Sequence, residues 1–203
     1  MIAIVDYGVG NLFSIKCSFA AIGVDAIITQ DPEDIRKADK ILLPGVGAFE
    51  DASVKIRESG MADVIISEVN KGKPILGICL GMQLLFEKSY EYGEYFGLGL
   101  LKGTIRSLSD IIKPGYKIPH IGWNALIFKK DNPLFTYIKD GDCVYFVHSY
   151  FAAECEDSLI AECEYSVPVT AAVSKGNIYG CQFHPEKSGM VGLNILKAFC
   201  EVV

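Results

Sequence analysis

Over the first two-thirds of the chain, short apolar runs alternate with segments whose apolar residues recur at helical spacing. Residues 1–5 are all apolar, the pattern of a strand covered on both faces of a sheet. From Leu12 to Ile22 apolar residues recur every three or four positions, which predicts a helix that Gly23 ends. This alternation predicts a mostly parallel sheet flanked by helices. The remaining elements predicted in this part are strands 25–29, 40–43 and 74–78, a helical turn opened by Asp31-Pro32, a helical stretch 49–70 broken at Gly60, and a helix 80–87.

Beyond about residue 98 the pattern changes to short strand-like segments separated by turn signals such as Asp140-Gly141. No linker, repeat or low-complexity segment interrupts the chain. We therefore expect a single α/β domain over residues 1–203, with antiparallel strands added in its second half. The predicted strands are 103–108, 118–128, 143–151, 159–165, 169–174 and 178–182, followed by a last helix over about 189–200.

Composition and charge exclude several classes of protein. Half of the 203 residues are hydrophobic, which is enough for a sizeable core and too many for a disordered chain. The formal charge of −6 argues against a nucleic-acid partner, because such proteins usually carry a basic face. The longest apolar run, 74–86, is well short of the roughly 18–20 residues that cross a bilayer. Asp6 interrupts the first apolar segment, so a secretory signal is not expected either.

The seven cysteines raise the question of whether one of them is a nucleophile. Their number is odd, no CxxC pair occurs, and the three histidines show no metal-ligand spacing. We therefore expect neither a disulfide scaffold nor a metal site, and a reducing cytoplasm as the location. Most of these thiols are expected to be small buried hydrophobic groups.

A cysteine between two glycines follows the strand predicted at 74–78. The sequence Gly77-x-Cys79-x-Gly81 is the thiol counterpart of the nucleophile elbow, a sharp strand-to-helix turn that exposes its central side chain. The start of the following helix favours a thiolate, and the N–H of Leu80 can help to hold an oxyanion. The turn 45–47, after the strand predicted at 40–43, could supply a second N–H. The alternative interpretation is a buried cysteine and an ordinary strand-to-helix turn.

A thiol nucleophile needs a base, and His184 is the best candidate. Pro185 stiffens the chain just after a predicted strand, and Glu186 is placed to orient the imidazole and stabilise its charged form. In a parallel sheet Cys79 and His184 would meet at the carboxyl edge, where ligands usually bind. The other two histidines, at positions 120 and 148, are expected to be hydrogen-bonded structural residues.

With these residues in place, the sequence resembles the class I, triad-type glutamine amidotransferases. More narrowly, it is similar to the glutaminase subunits of imidazole glycerol phosphate synthase. The motifs that carry this resemblance run over almost the whole chain: Asp6-Tyr-Gly-Val-Gly-Asn11, Leu43-Pro-Gly-Val-Gly-Ala-Phe49, Gly77-Ile-Cys-Leu-Gly-Met-Gln83, Pro119-His-Ile-Gly-Trp-Asn124, Tyr145-Phe-Val-His-Ser-Tyr150 and Phe183-His-Pro-Glu-Lys-Ser188.

The resemblance implies the class I amidotransferase fold and the hydrolysis of glutamine to glutamate and ammonia. Cys79 would attack the side-chain amide, and His184 would protonate the leaving ammonia and then activate water. Glu186 would hold His184. No metal or organic cofactor is implied. The resemblance assigns the oxyanion hole and substrate binding to Gly45, Val46, Gly47, Leu80, Gln83, Ser149 and Tyr150.

The resemblance also implies a partner. In the family the ammonia passes through an internal channel to a (β/α)₈-barrel cyclase, with which the glutaminase forms a heterodimer. The cyclase makes imidazole glycerol phosphate and aminoimidazole carboxamide ribotide in histidine biosynthesis. The positions that match interface residues of the family are Asn11, Trp123, Tyr145 and Lys187.

Two other functions stay open at this point. The chain could be a paralogous glutaminase that supplies ammonia to a different synthase, because the triad only makes ammonia. It could also be a catalytically silent subunit that regulates its partner, although all three triad residues are present.

Overall fold

The strands and helices alternate as predicted over the first part of the chain, in a computed structural model that describes residues 1–203. In chain order the strands are β1 Ile2–Val5, β2 Ala26–Thr29, β3 Lys40–Leu43, β4 Ile75–Ile78, β5 Phe86–Ser89, β6 Tyr95–Phe96, β7 Leu101–Ser107, β8 His120–Ala125, β9 Ile127–Phe128, β10 Cys143–His148, β11 Tyr150–Ala153, β12 Leu159–Glu164, β13 Pro168–Lys175 and β14 Ile178–Cys181. The helices are α1 Leu12–Ala21, α2 Pro32–Lys37, α3 Phe49–Glu58, α4 Met61–Asn70, α5 Leu80–Leu84 and α6 Gly189–Glu201. Short 3₁₀ turns cover Leu108–Asp110, Pro133–Phe135 and Pro185–Lys187.

An eight-stranded sheet forms the centre of the chain, in the order β2-β1-β3-β4-β14-β13-β12-β9. The first five strands run parallel, and the last three are joined by antiparallel pairing. Two smaller sheets, β11-β7-β5-β6 and β10-β8, contain the other strands. This arrangement confirms the predicted α/β fold class, with a mostly parallel central sheet and antiparallel strands added in the second half.

Successive side chains of β1 enter two different cores. Ile2 and Ile4 belong to one buried cluster with residues of α1 and α6, whereas Ala3 and Val5 belong to a second cluster with residues of α2 to α5. Alternate side chains of a strand point to opposite faces of its sheet, so helices cover both faces here. This explains why the strand is an uninterrupted apolar run. None of the helices has both the length and the apolar character needed to span a membrane.

The predicted helix 80–87 is too long. α5 ends at Leu84, because residues 86–89 form β5 and pair with β6 and β7. A close backbone approach accompanies this change of direction: a Cβ added at Gly97 would lie 2.1 Å from the carbonyl oxygen of Phe86. The pattern of apolar residues does not distinguish the two outcomes, since both bury Leu84 and Phe86.

Two of the predicted strands are each divided between sheets. The segment 143–151 contains β10, which pairs with β8, and β11, which pairs with β7, with Ser149 between them. The segment 118–128 likewise contains β8 and β9, and β9 pairs with β12. The position of each break depends on partner strands that are distant in sequence.

Candidate active site

Cys79 occupies the sharp turn between β4 and α5. Its backbone adopts φ 54° and ψ −112°, a conformation that L-residues rarely take and that is found chiefly at functional sites. A Cβ added at Gly77 would lie 2.7 Å from the backbone of Met82, and one at Gly81 would lie 1.9 Å from the carbonyl oxygen of Leu43. The two glycines therefore allow the turn to pack against itself and against β3, as the elbow motif predicts.

His184 reaches the same edge of the sheet from the neighbouring strand. β14 runs parallel to β4, with Cys181 opposite Ile78. The residues that follow the two strands therefore leave the sheet side by side. This topology brings Cys79 and His184 together although they are distant in sequence.

A hydrogen bond joins His184 to Glu186, with 2.8 Å between Nδ1 and Oε1 and both side chains buried. Because a carboxylate accepts, Nδ1 carries the proton and Nε2 is left to exchange a proton with the sulfur. Burial alone lowers the pKa of His184, but its interactions with Cys79 and Glu186 outweigh burial and raise the pKa to about 9. The imidazolium form is therefore favoured at neutral pH. The second carboxylate oxygen, Oε2, is buried without a hydrogen-bond partner.

The backbone of His184 is held by Tyr145 and Ser188. The His184 N–H donates to the carbonyl of Tyr145 at 2.9 Å, and the Ser188 hydroxyl donates to the carbonyl of His184 at 2.6 Å. The same hydroxyl accepts the N–H of Tyr145 at 2.9 Å. Ser188 thus connects the histidine to β10. The sequence motif contains Ser188 but gives no sign of this function.

One cavity of about 560 Å³ has both Cys79 and His184 in its wall. Its volume falls within the usual range for small-molecule sites. Gly45 and Glu186 do not line this cavity but lie next to residues that do. A Cβ added at Gly45 would be 2.7 Å from the backbone N of Gly81, and Glu186 is hydrogen-bonded to His184. The other residues assigned to the oxyanion hole and substrate binding line the cavity: Val46, Gly47, Leu80, Gln83, Ser149 and Tyr150.

Two backbone segments can donate N–H groups near the sulfur. Leu80 is the first residue of α5, so its N–H has no acceptor within the helix. The second segment is the loop 45–47, which begins at Pro44. The buried hydroxyl of Tyr7 donates to the carbonyl of Pro44 at 2.7 Å. Burial, and then the nearness of Cys79, raise the pKa of Tyr7 well above its usual range. Sequence reasoning missed Tyr7 as a support of this loop.

Glu91 is the only carboxylate in the cavity wall. Its Oε2 accepts the N–H of Phe49 at 2.7 Å, and burial raises the pKa of the carboxyl above its usual value. Sequence reasoning missed Glu91, because it lies between β5 and β6 in a segment with no recognisable motif. A carboxylate at this place can bind an ammonium group of a ligand.

His120 and His148 form a buried pair, as expected of structural histidines. Nδ1 of His120 lies 3.1 Å from Nε2 of His148, and Nδ1 of His148 donates to the carbonyl of Tyr150 at 2.8 Å. Burial is the main cause that lowers the pKa of each ring to about 4, so both are neutral at pH 7. No group of three or more His, Cys, Asp or Glu side chains in the structure is arranged to hold a metal ion.

A family model described as "Glutamine amidotransferase class-I" matches residues 3–202. The chain belongs to this family. Three similar proteins, each named imidazole glycerol phosphate synthase subunit HisH, confirm the narrower resemblance. Those from Caldanaerobacter subterraneus subsp. tengcongensis and Lactococcus lactis subsp. lactis are each 50% identical, over 100% of this chain and 98% of the relative. That from Wolinella succinogenes is 46% identical over the whole of both chains.

Solved structures support the fold of this class-I amidotransferase. The chain matches a crystal structure described as a glutamine amidotransferase with a TM-score of 0.77 and 18% identity, over 99% of this chain and 98% of that one. It matches PurLQS from Thermotoga maritima with a TM-score of 0.74 and 22% identity, over 98% and 96% of the two chains. At these identities the likeness shows the fold alone, and it confirms the predicted class I amidotransferase fold.

Three of the four residues assigned to a partner interface form one group on the surface of the amidotransferase. Trp123 and Tyr145 are paired across β8 and β10 with ring centroids 6.2 Å apart, and Nζ of Lys187 lies 6.0 Å from the Tyr145 ring. Trp123 is 58% exposed. Asn11 precedes α1, which packs against the turn Pro185–Lys187. Lys187 also lines the cavity, so this surface adjoins the candidate site.

Proposed function

We propose that the chain is the glutaminase subunit of an imidazole glycerol phosphate synthase, hydrolysing glutamine to glutamate and ammonia for histidine biosynthesis. The observation that carries the proposal is the single cavity lined by Cys79 and His184, with Glu186 hydrogen-bonded behind the histidine. The name HisH, shared by full-length relatives at 46–50% identity, supports the choice of synthase.

The arrangement accounts for each chemical step. The Cys79 thiolate attacks the side-chain carbonyl of glutamine, and backbone N–H groups stabilise the oxyanion. The His184 imidazolium gives its proton to the leaving nitrogen, so that ammonia departs and a γ-glutamyl thioester remains. Neutral His184 then takes a proton from water, which attacks the thioester and releases glutamate and the thiolate. Glu186 keeps the imidazole oriented and stabilises its positive charge.

Glutamine binding is proposed to rest on complementary charge and hydrogen bonding. Glu91, the only carboxylate of the wall, would bind the α-ammonium group of the substrate. Gln83 and the backbone of Ser149 and Tyr150 would hold the remaining polar groups. The wall also carries Val46 and Gly47, which would supply an oxyanion N–H beside that of Leu80.

The ammonia is proposed to pass to a (β/α)₈-barrel cyclase in a heterodimer located in the cytoplasm. Trp123, Tyr145, Lys187 and Asn11 would contact this cyclase. The exposed aromatic pair and its position beside the cavity support that assignment, because aromatic side chains are frequent anchors of interfaces. Residues 1–203 would act as one glutaminase domain.

A nitrogen-transfer experiment tests the function. The purified chain is mixed with a candidate (β/α)₈ cyclase and its phosphoribulosyl formimino substrate, and glutamine labelled with ¹⁵N in its side-chain amide is added. The expected result is an imidazole product that carries ¹⁵N, and an excess of unlabelled ammonium in the solution should not dilute this label. If glutamine is not hydrolysed in the complex, the glutaminase assignment is wrong. Hydrolysis without transfer to this cyclase would instead indicate a paralogue that serves another synthase.

A further inference from the structure

A fully buried carboxamide lies against the sulfur of Cys79. Gln182 directly follows β14, no part of it is exposed to solvent, and its Nε2 lies 3.7 Å from Sγ of Cys79. The N–H of Gln182 donates to the carbonyl of Ala171 at 2.8 Å, which holds this backbone in place. None of the steps described above uses Gln182.

The carbonyl of Tyr150 determines the orientation of the Gln182 amide, because Gln83 connects the two groups by hydrogen bonds. The carbonyl of Tyr150 can only accept, so the Gln83 side-chain atom 3.2 Å from it must be the nitrogen. The same nitrogen lies 3.0 Å from Gln182, so the Gln182 atom facing it must be the oxygen. Gln182 therefore presents its –NH₂ group to the sulfur. No flip of either amide satisfies all three contacts.

We propose that Gln182 is a further catalytic residue of the glutaminase site, and that it donates an N–H to the thiolate of Cys79. This inference rests on the proposed function. A hydrogen bond to an anion is stronger than one to a neutral group, so the contact stabilises the sulfur in every step in which it carries negative charge. A fully buried N–H also needs an acceptor, and the sulfur is its partner in the structure.

Gln182 and His184 stabilise the sulfur in different steps. His184 changes its protonation state during the reaction, whereas an amide stays a donor throughout. When the thioester forms, the sulfur loses its charge and the contact with Gln182 weakens. Water adds to the thioester carbonyl to give a tetrahedral intermediate; when this collapses, the C–S bond breaks and negative charge returns to the sulfur, which again meets an N–H donor. Gln182 therefore assists the departure of the sulfur, a step in which charge develops at the atom it contacts.

The test uses two substitutions of similar shape. Gln182→Met removes the donor, and Gln182→Glu replaces it with an acceptor. We measure alkylation of Cys79 by iodoacetamide against pH, using mass spectrometry of the Cys79 peptide, in the full chain. Alkylation at pH 7 should fall about tenfold in Gln182→Met, as expected for a lost hydrogen bond to a charged group, and further in Gln182→Glu. Exposed Cys17 serves as an internal reference, and Gln30→Met, at an exposed position, as the matched control.

Kinetics in the complex with the cyclase separate this chemical function from a structural one. In Gln182→Met we expect kcat to fall about tenfold with little change in KM, and the γ-glutamyl thioester to accumulate on Cys79. A merely structural change would lower the melting temperature and leave the alkylation–pH profile unmoved. Alkylation of Cys79 at the original rate in both folded variants would overturn the inference. If the unsubstituted complex fails to hydrolyse glutamine, the proposed function is wrong, and the alkylation comparison still decides the contact with Gln182.

Discussion

The hydroxyl of Tyr7 donates a hydrogen bond to the carbonyl of Pro44 at 2.7 Å, across 37 residues of sequence. In a trans peptide the C=O and the following N–H point in opposite directions. The bond therefore determines where the N–H of Gly45 points, and with it the start of the loop 45–47. Tyr7 also touches this loop directly, because a Cβ added at Gly45 would lie 2.9 Å from the tyrosine hydroxyl.

Tyr7→Phe should lower kcat for glutamine hydrolysis and leave KM almost unchanged. We expect a loss of about tenfold, less than the roughly 100- to 1,000-fold lost when an oxyanion donor is removed, because the loop is loosened and its N–H groups remain. Steady-state kinetics of the complex provide the measurement. Tyr179→Phe is the control, since Tyr179 is also buried but packs near Phe199 of α6. An unchanged kcat in Tyr7→Phe would show that the loop does not need this hydroxyl.

Cys79→Ala should abolish glutamine-dependent product formation and leave ammonia-dependent formation by the cyclase intact. The substitution removes the only thiol in the cavity wall and does not touch the partner. Both activities are measured on the same complex, with glutamine or with an ammonium salt. Cys181→Ala is the matched control, because this fully buried thiol follows Gly180 in β14 and should keep activity. Inactivation of Cys181→Ala without unfolding would mean that the nucleophile has been misassigned.

The His184–Glu186 pair should make stability depend on pH. Against the lowering effect of burial, interactions with Cys79 and then Glu186 raise the pKa of His184 from 6.5 to about 9, so the stability contributed by its charged form is fully present below pH 6.5 and is lost as the pH rises through about 9. Glu186→Gln keeps the shape but removes the negative charge. The difference in unfolding free energy between the original chain and this variant should shrink between pH 6 and pH 10 in urea titrations. A difference that does not change with pH would contradict a charged imidazole.

The His120–His148 pair should destabilise the chain in mild acid. Burial lowers both pKa values from 6.5 to about 4. The stability contributed by the two neutral rings is therefore fully present above pH 6.5 and is lost as the pH falls towards 4. His120→Phe removes one titrating ring and can stack between Phe146 and Tyr165, as His120 does. Between pH 7 and pH 5 the original chain should lose about 1–2 kcal/mol more unfolding free energy than the variant. Equal losses in urea titrations would refute neutral, buried histidines.

Trp123→Ala should weaken the complex with the cyclase. Tryptophan is enriched among the interface residues whose truncation costs about 2 kcal/mol or more, so we expect Kd to rise more than tenfold, with a parallel loss of glutamine-dependent product formation by the mixed subunits. Isothermal titration of the two subunits measures the affinity. Phe96→Ala is the control, because Phe96 is 62% exposed but lies on β6, outside the predicted interface. Equal affinities for the two variants would remove Trp123 from the interface.

Local patterns predicted the parallel half of the fold and the elbow, because periodicity and glycine spacing are properties of short segments. They failed where the outcome depends on distant partners. Residues 86–89 leave the helical pattern because β7 is available for pairing, and the chain changes sheets at Ser149 because β8 and β7 lie in different sheets. Glu91 carries no local signal, and its position in the cavity wall is set by tertiary packing.

The backbone conformation of Cys79 has a consequence for the evolution of the chain. A residue held at φ 54° and ψ −112° costs of the order of 1–3 kcal/mol unless it is glycine. Glycine at this position would make a more robust but inert protein. Stability alone therefore favours glycine over cysteine at position 79, and variants screened only for heat resistance would tend to lose the nucleophile.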